Sequence, residues 1–245
     1  LSQAVARQLD GGKAGCFLSG GTDSSTVAGM IGQVLGKPAA TYSIGFEAEG
    51  YDEMAYARIA AKQFNTEHHE YYVTPQDLLR SIPDVAASYD QPFGNSSALP
   101  AYYCAKMARE DGVTRILAGD GGDELFGGNA RYAKQRIFNL YQNVPAFVRS
   151  ALLEPVLASG IGKSLPLIRK AGSYVEQARM PMPDRLQLYN LVTHLGLGQV
   201  FAPDFLAGVD TSAPLQLQRQ VWNSAKAESA TNRELAFDWR YTLGE

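Results

Sequence analysis

The chain has 245 residues, of which 45% are hydrophobic and 19% are charged, and its formal net charge is −3. This composition is typical of a globular protein rather than a disordered one. The length is sufficient for one large α/β domain with a helical extension. The negative net charge argues against nucleic acid as a partner.

Membrane and secretion signals are missing from the sequence. No run of about 18 apolar residues predicts a transmembrane helix, and the first residues do not resemble a signal peptide. We therefore expect a cytoplasmic protein without a membrane partner. Cys16 and Cys104 are expected to be buried thiols rather than a disulfide. Because the chain starts at Leu1 rather than Met, we interpret it as a piece of a longer protein. The last residues, 235–245, end without a helix stop signal, so we also expect truncation at the C-terminus.

The first half of the chain alternates between strand and helix patterns. After an N-terminal helix, the predicted strands are Ala14–Leu18, Ala40–Phe46, Glu67–Val73 and Arg115–Ala118. The predicted helices between them are Ser24–Leu35, Asp52–Phe64, Thr74–Tyr89 and Leu99–Glu110. This alternation predicts a mostly parallel sheet with flanking helices, in which ligands bind at the carboxyl ends of the strands.

Two local features refine these helices. Thr74 and Pro75 are residues that favour a helix start. In the helix over 52–64, the apolar stripe is predicted to contain Ala55, Ile59, Ala60 and Phe64. Asp52, with Glu53, is expected to cap the same helix.

The pattern changes near Tyr132, after which no strand is predicted. Helical stretches are predicted at Val144–Leu157, Leu186–Leu195, Leu215–Ala227 and Arg233–Leu243. We therefore divide the chain into an α/β core over 1–131 and a C-terminal helical region over 132–245.

A glycine-rich turn, Ser19-Gly-Gly-Thr-Asp-Ser24, follows the first predicted strand and opens a helix. Helix N-termini suit anions, and glycines let the backbone approach phosphate oxygens closely. The hydroxyls of Ser19, Ser24 and Ser25 would add donors. Asp23 would repel phosphate unless it holds Mg²⁺, which takes oxygen ligands and bridges phosphates. The alternative is a plain strand-to-helix turn with capping residues.

This turn is not a Walker A loop, because no Gly-Lys-Ser/Thr follows the glycines. The Ser-Gly-Gly-x-Asp-Ser string instead resembles the PP-loop of N-type ATP pyrophosphatases. These enzymes cleave ATP between the α and β phosphates.

A second motif, Gly119-Asp-Gly-Gly-Asp-Glu124, follows the fourth predicted strand. Its carboxylates, Asp120, Asp123 and Glu124, would repel one another without a cation or a basic partner. A metal site or a proton-transfer role explains them, and an acidic loop that caps a helix is the alternative.

The string Gly-Asp-Gly-Gly-Asp-Glu-Leu-Phe-Gly-Gly resembles the second signature of the asparagine synthetase family, which includes β-lactam synthetase. Its separation of about 100 residues from the PP-loop is similar to that family's. The resemblance covers the region from Leu1 to Tyr132 and implies the adenine nucleotide alpha hydrolase-like (PP-loop) fold.

The resemblance also implies an activity. A carboxylate, aspartate or a related acid, would be adenylated by ATP, and ammonia from a glutaminase domain would then displace AMP. The implied ATP-binding residues are Leu18, Ser19, Gly20, Gly21, Asp23, Ser24, Ile44 and Gly119. The implied magnesium ligands are Asp23 and Asp123, and the implied catalytic residues are Asp120, Asp23 and Glu124. A homodimer is possible.

Departures from the family pattern leave the acceptor open. Ser96 lies near the position of a family arginine associated with aspartate activation, and Asn129 replaces a common tyrosine. A nucleotide-binding module without turnover is the non-enzymatic alternative. Arg131 and Lys134 could reach phosphate or be exposed helix charges, and Phe126 is expected in the core.

Overall fold

The computed structural model describes residues 1–9, 11–47, 52–90, 97–153, 155, 166–241 and 243. The chain divides into two compact units, Leu1–Asp120 and Gly121–Glu245. This division lies earlier than the one predicted after residue 131, because a short helix over 122–126 packs on a helix near the C-terminus. The assignment of both parts to one synthetase domain stays a prediction.

The N-terminal unit alternates helices and strands, as predicted. Its helices are α1 (Ser2–Gln8), α2 (Thr22–Leu35), α3 (Met54–Gln63), α4 (Pro75–Ser88) and α5 (Ala98–Glu110). Its strands are β1 (Ala14–Phe17), β2 (Ala40–Phe46), β3 (Glu67–Val73) and β4 (Arg115–Leu117). The boundaries of β2 and β3 coincide with the prediction, and α2 begins two residues before the predicted start at Ser24.

The four strands form one parallel sheet in the order β3-β2-β1-β4. The chain moves outward from β1 to β3 in one direction, and β4 then pairs with the other side of β1. The strand order therefore reverses at β1 and β4. In open α/β sheets such a reversal leaves a crevice at the carboxyl ends of the two strands.

Helices cover both faces of the sheet. Because successive residues of a strand point to opposite faces, Cys16 and Leu18 join one apolar cluster with residues of α2 and α3, while Phe17 packs against the other. That second cluster contains Tyr42 of β2 and Cys104 of α5. Both cysteines are free and buried, so the predicted thiols are confirmed.

Local capping explains where α4 and α3 begin. The Thr74 hydroxyl accepts the Asp77 N–H at 3.2 Å, and the Asp77 carboxylate accepts the Thr74 N–H at 2.9 Å, which completes a capping box. Pro75 occupies the first turn, as expected. At α3, the Asp52 carboxylate accepts the Met54 N–H at 3.2 Å, which confirms its capping role.

The predicted apolar stripe of α3 was correct at Ala60 and wrong at its other three positions. The buried residues are Met54, Ala57, Ala60 and Ala61, whereas Ile59 is 66% exposed. The small alanine side chains let α3 approach its neighbours closely, and this turns the bulkier Ile59 outward. Helical spacing alone allowed either stripe.

The C-terminal unit contains helices and no strand in its described residues, as predicted, although the predicted helices over 144–157 and 186–195 are each divided into shorter elements. Its α-helices are α6 (Gly122–Phe126), α7 (Ala130–Asn143), α8 (Ala146–Val148), α9 (Pro166–Arg179), α10 (Leu191–Leu195), α11 (Leu197–Val200), α12 (Pro203–Ala207), α13 (Ala213–Ser224) and α14 (Ala230–Tyr241). A π-helical turn covers Arg149–Leu153, and a 3₁₀ helix covers Asp184–Tyr189. In the part of the chain that the structure describes, no helix combines the length and apolar character needed to cross a bilayer.

Aromatic side chains build the core of this unit. Phe138 of α7 packs on Tyr174 of α9 with ring centroids 5.6 Å apart, and Trp222 of α13 packs edge-on against Phe237 of α14 at 5.7 Å. The buried Arg185 guanidinium lies 4.6 Å from the centre of the Phe138 ring. Its Nε donates to the Met180 carbonyl at 2.9 Å, so its burial is compensated.

Candidate nucleotide site

Both loops that leave the sheet at its reversal point carry predicted site residues. The loop after β1 contains Ser19 to Gly21, and the chain after β4 continues into Gly119 and Asp120. Because β1 and β4 are parallel neighbours, their carboxyl ends lie side by side. The fold of the N-terminal unit therefore brings these two segments together, although about 100 residues separate them.

Gly119 lies directly against the first turn of α2. A Cβ atom on Gly119 would be 2.6 Å from the Ser24 backbone nitrogen and 3.0 Å from the Asp23 Cβ. Only glycine fits at this distance, because a side chain would collide with the helix backbone. The predicted pairing of Gly119 with the Ser19–Ser24 motif is thus a physical contact.

The hydroxyls of Ser19 and Ser24 hold the turn between β1 and α2. The two Oγ atoms lie 3.0 Å apart, and the Ser19 N–H donates to the Ser24 Oγ at 3.2 Å. The Gly21 N–H donates to the Ser19 Oγ at 3.3 Å. Ser24 is buried and Ser19 is exposed, so Ser24 shapes the turn while Ser19 remains accessible to a ligand.

The N-terminus of α2 is open to an anion. Its N-cap residue, Gly21, has no side chain that could accept a hydrogen bond from the first turn. Among the described residues, no other group accepts from the N–H groups of that turn. The Ser25 Oγ is also buried without a hydrogen-bond partner among the described residues. Unsatisfied donors at the start of a 14-residue helix fit a phosphate group.

Gly20 supplies the tight geometry of the same turn. Its φ is +85°, a conformation that favours glycine. A Cβ atom there would lie 2.3 Å from the Tyr56 carbonyl carbon and 2.5 Å from the Ala57 nitrogen. The turn is therefore pressed against α3, and this leaves the Ser19–Gly21 backbone little room to change.

Leu18 and Ile44, the residues expected to line the nucleotide, lie at neighbouring strand ends, Leu18 directly after β1 and Ile44 in the carboxyl-terminal part of β2. Leu18 is 2% exposed, and its N–H donates to the Tyr42 carbonyl at 3.0 Å. The Ser43 hydroxyl donates to the Leu18 carbonyl. Ile44 is half-buried and packs on the apolar cluster of α5. Leu18 can therefore contact a ligand through its backbone far more readily than through its buried side chain.

The remaining predicted carboxylates lie around the start of α6. Asp120 is exposed, whereas Asp123 and Glu124 are half-buried in the first turn of α6. A Cβ atom on Gly128 would lie 2.4 Å from the Asp123 Oδ1, so this glycine makes room for the carboxylate.

Arg131 is a basic partner for one carboxylate of the acidic motif, that of Glu124. Its Nη2 lies 3.5 Å from the Glu124 Oε1 and 2.8 Å from the Asp238 Oδ2. Lys134 instead lies 3.3 Å from the Gln177 Oε1 and 5.2 Å from the centre of the Tyr174 ring. Neither residue is a simple exposed helix charge.

Two other expectations near this motif have clear outcomes. Phe126 was predicted to be buried, but it is 69% exposed, because the five-residue α6 turns it away from the packed side. Asn129, which departs from the family pattern, caps α7 by accepting the Arg131 N–H at 2.9 Å. Ser96, the other departure, lies outside the described residues.

Asp238 is the residue that sequence reasoning missed. It is 4% exposed, and it accepts hydrogen bonds from Arg131 and from the Tyr132 hydroxyl, the latter at 3.0 Å. Burial, to which the Asp238 carboxylate adds, raises the pKa of Tyr132 to about 12, so the hydroxyl remains a donor. An acidic residue inside the apolar spacing of α14 was the only available signal.

A magnesium ion would need ligands beyond the side chains that the structure describes. Among the described residues, no three His, Cys, Asp or Glu side chains are grouped to hold a metal ion. Mg²⁺ is usually bound by one or two carboxylates together with substrate phosphates and water. The half-buried Asp23, next to the open N-terminus of α2, fits that mode of binding.

Comparison with known proteins agrees with this geometry. The family model described as asparagine synthase matches residues 1–245. The chain belongs to the asparagine synthase family. The match also covers the helical unit, for which the sequence resemblance was only vague.

Relatives of this family come from distant organisms. The chain is 36% identical over 177 residues to a protein of Methanocaldococcus jannaschii described as a candidate asparagine synthetase (glutamine-hydrolysing) 2, covering 72% of this chain and 32% of that protein. It is 29% identical over 171 residues to asparagine synthetase (glutamine-hydrolysing) 1 of Bacillus subtilis, covering 70% and 26%. The chain therefore spans about a third or less of the length of these relatives.

A solved structure shows a more distant likeness. The NMN synthetase of Francisella tularensis aligns with a TM-score of 0.35 and 19% identity, over 47% of this chain and 51% of that one.

Proposed function

We propose that this chain is the ATP-using part of an amide-forming ligase. It adenylates a carboxylate with release of pyrophosphate, and ammonia then displaces AMP to form the amide. The close approach of Gly119 to the first turn of α2 carries this proposal, because it brings the first residue of the second family motif against the first motif. Membership of the asparagine synthase family supports the same reaction.

The residues that the family resemblance implies would each have a part in binding ATP and Mg²⁺. The N–H groups at the start of α2 and the Ser19 hydroxyl would hold the phosphates, with Gly20 and Gly21 allowing their close approach. Leu18, Ile44 and Gly119 would line the nucleoside. Asp23, with Asp123, would hold Mg²⁺, which would neutralise charge on the phosphates.

The acidic residues would serve the amide-forming step. Asp120 is exposed and therefore accessible to a proton on the attacking ammonia, and Glu124 would support it as a second carboxylate. Aspartate or a related acid is the proposed acceptor. A glutaminase domain as the source of ammonia, a cytoplasmic location and a homodimer remain predictions.

The test is an assay of pyrophosphate and AMP release with ATP, Mg²⁺, ammonium chloride and a series of acids that starts with L-aspartate. Ammonium replaces glutamine, so the assay does not require a glutaminase. We expect release that depends on one of these acids, and Asp23→Asn should lower its rate roughly 100-fold or more. Asp204→Asn, which changes an exposed acid in the first turn of α12, is the matched control and should retain the activity.

Calorimetric titration with ATP and Mg²⁺ separates the alternatives. Saturable binding that is lost in Asp23→Asn, together with acid-dependent pyrophosphate release, would support the ligase. Binding without pyrophosphate release from any acid would instead identify a nucleotide-binding module and overturn the proposal.

A further inference from the structure

Helix α14 carries a buried carboxylate that reaches the acidic motif through a single arginine. The Asp238 Oδ2 accepts from the Arg131 Nη2 at 2.8 Å and from the Tyr132 hydroxyl at 3.0 Å. The same Arg131 Nη2 lies 3.5 Å from the Glu124 Oε1. Asp238, Arg131 and Glu124 therefore form a continuous chain of charges from α14 to the first turn of α6.

The exposed fractions of the three side chains indicate which of them holds the other two in place. The Asp238 side chain is 5% exposed, the Glu124 side chain 13%, and the Arg131 side chain 42%. A buried carboxylate that accepts from a guanidinium and a hydroxyl is held more firmly than an exposed one, because breaking either hydrogen bond away from water is costly. Asp238 thus fixes the guanidinium, and the guanidinium in turn faces Glu124.

A second contact joins α14 to the same turn. A Cβ atom on Gly121, whose φ is +90°, would lie 3.2 Å from the Trp239 Cζ3. Trp239 therefore packs on the residue that caps α6. With five residues and no side-chain cap, α6 cannot be stable by itself and depends on such tertiary contacts.

We propose that Asp238 is a positioning residue that orients the Glu124 carboxylate through Arg131. Helix α14 would thereby set the geometry of the acidic motif for amide formation, although it lies more than 100 residues later in the sequence. This role rests on the proposed ligase function.

The test is a double-mutant cycle on the steady-state rate of AMP release with ATP, Mg²⁺, ammonium chloride and the acceptor acid, because AMP leaves only when the amide forms. Asp238→Asn keeps the shape of the side chain and an acceptor for Tyr132, but removes the charge that holds Arg131. We expect it to lower kcat roughly 10-fold or more, with a smaller change in KM for ATP. In a Glu124→Gln background, the same substitution should lower kcat by less than a factor of two, because the oriented carboxylate is already gone.

A structural role for Asp238 would give a different result. The loss of kcat would then be the same factor in both backgrounds, and this result would overturn the proposal. Asp184→Asn is the matched control, because Asp184 accepts from Arg219 at 2.8 Å in the same unit without contacting the acidic motif. It should leave kcat unchanged.

Thermal unfolding of the same four proteins keeps this inference separate from the proposed function. If the wild-type protein releases no pyrophosphate with any acid, the ligase proposal fails, whereas the coupling of Asp238 to Glu124 is still measurable. We expect the losses of Tm in the two single variants not to add in the double variant. Additive losses would show that Arg131 does not couple the two carboxylates, and the inference would fail.

Discussion

Gly119 and Ser24 lie in contact at the reversal point of the sheet, where a Cβ atom on Gly119 would be 2.6 Å from the Ser24 backbone nitrogen. The atom that it would meet belongs to a helix backbone, which cannot rotate away as a flexible side chain can. The contact therefore links the end of β4 rigidly to the proposed phosphate site.

Replacement of Gly119 by alanine should damage both the fold and the site. We expect Gly119→Ala to lower the free energy of unfolding by about 1–3 kcal/mol, because the overpacked methyl group must displace the first turn of α2. ATP binding should weaken in the same variant. Urea denaturation and calorimetric titration measure the two effects.

Gly32 provides the control for this substitution. It lies inside α2, and a Cβ atom there would be 3.7 Å from the nearest neighbour, the Lys37 carbonyl oxygen. Gly32→Ala should therefore stabilise the protein by about 0.5–1 kcal/mol. Equal destabilisation by both substitutions would contradict the importance of the Gly119 contact.

Replacing Ser24 should lower the stability of the fold, whereas replacing Ser19 should weaken ATP binding. Ser24→Ala removes a buried hydroxyl that bonds the Ser19 N–H and the Ser19 Oγ, so we expect a loss of about 1–2 kcal/mol in unfolding free energy. Ser19→Ala changes an exposed side chain and should cost less than about 0.5 kcal/mol while weakening ATP binding. Unfolding and titration of both variants would refute this division if Ser19→Ala proved the more destabilising.

Stability should fall in mild acid because of His68. Burial lowers the pKa of His68 below its usual 6.5, and the Glu70 carboxylate opposes this shift only in part. Since the folded state binds the proton more weakly than the unfolded state, the contribution is present above pH 6.5 and is lost as the pH falls through the folded-state pKa.

The variant His68→Asn tests the source of this pH dependence. The asparagine amide can still bond the Thr41 hydroxyl, which now lies 3.0 Å from the His68 Nδ1, but it does not titrate. Urea unfolding at several pH values from 7.5 to 5 should show a shallower fall for the variant than for the wild type. The same slope in both proteins would exclude His68 as the cause.

Both thiols should be unreactive in the folded protein. Burial raises the pKa of Cys16 and of Cys104 to about 12, so almost no thiolate forms near pH 8. Ellman's reagent should detect no thiol in the native protein and both thiols after unfolding in denaturant without a reductant. Rapid labelling of the native protein would contradict the burial, and no labelling after unfolding would indicate a disulfide.

Much of the N-terminal unit could be predicted because its signals are local. Thr74 and Pro75 predict the start of α4, and the predicted boundaries of β2 and β3 agree with the structure. The first glycine-rich motif, Ser19–Ser24, also lies within six consecutive residues, so a phosphate-binding role could be predicted for it without knowledge of the fold. The mutual arrangement of the predicted catalytic residues stays a prediction.

Two predictions of burial, for Ile59 and Phe126, were wrong for the same physical reason. Ile59 and Phe126 are exposed although their helices have apolar spacing, because the identity of the packing partner decides which side of a helix is buried. A hydrophobic pattern predicts that one face of a helix is buried against the rest of the protein. Two adjacent stripes of the helix often fit the same pattern, so the pattern does not decide which of them is buried.

The sequence by itself determined the order of strands and helices, the two glycine-rich motifs and the family that they resemble, because each of these depends on residues close together in the chain. Only the tertiary structure decided that Gly119 touches Ser24 and that Asp238 holds Arg131. Those contacts join residues about 95 and 107 positions apart. These contacts form only when the pairing of strands and the packing of helices bring distant segments together. The local propensities of the residues do not predict that arrangement.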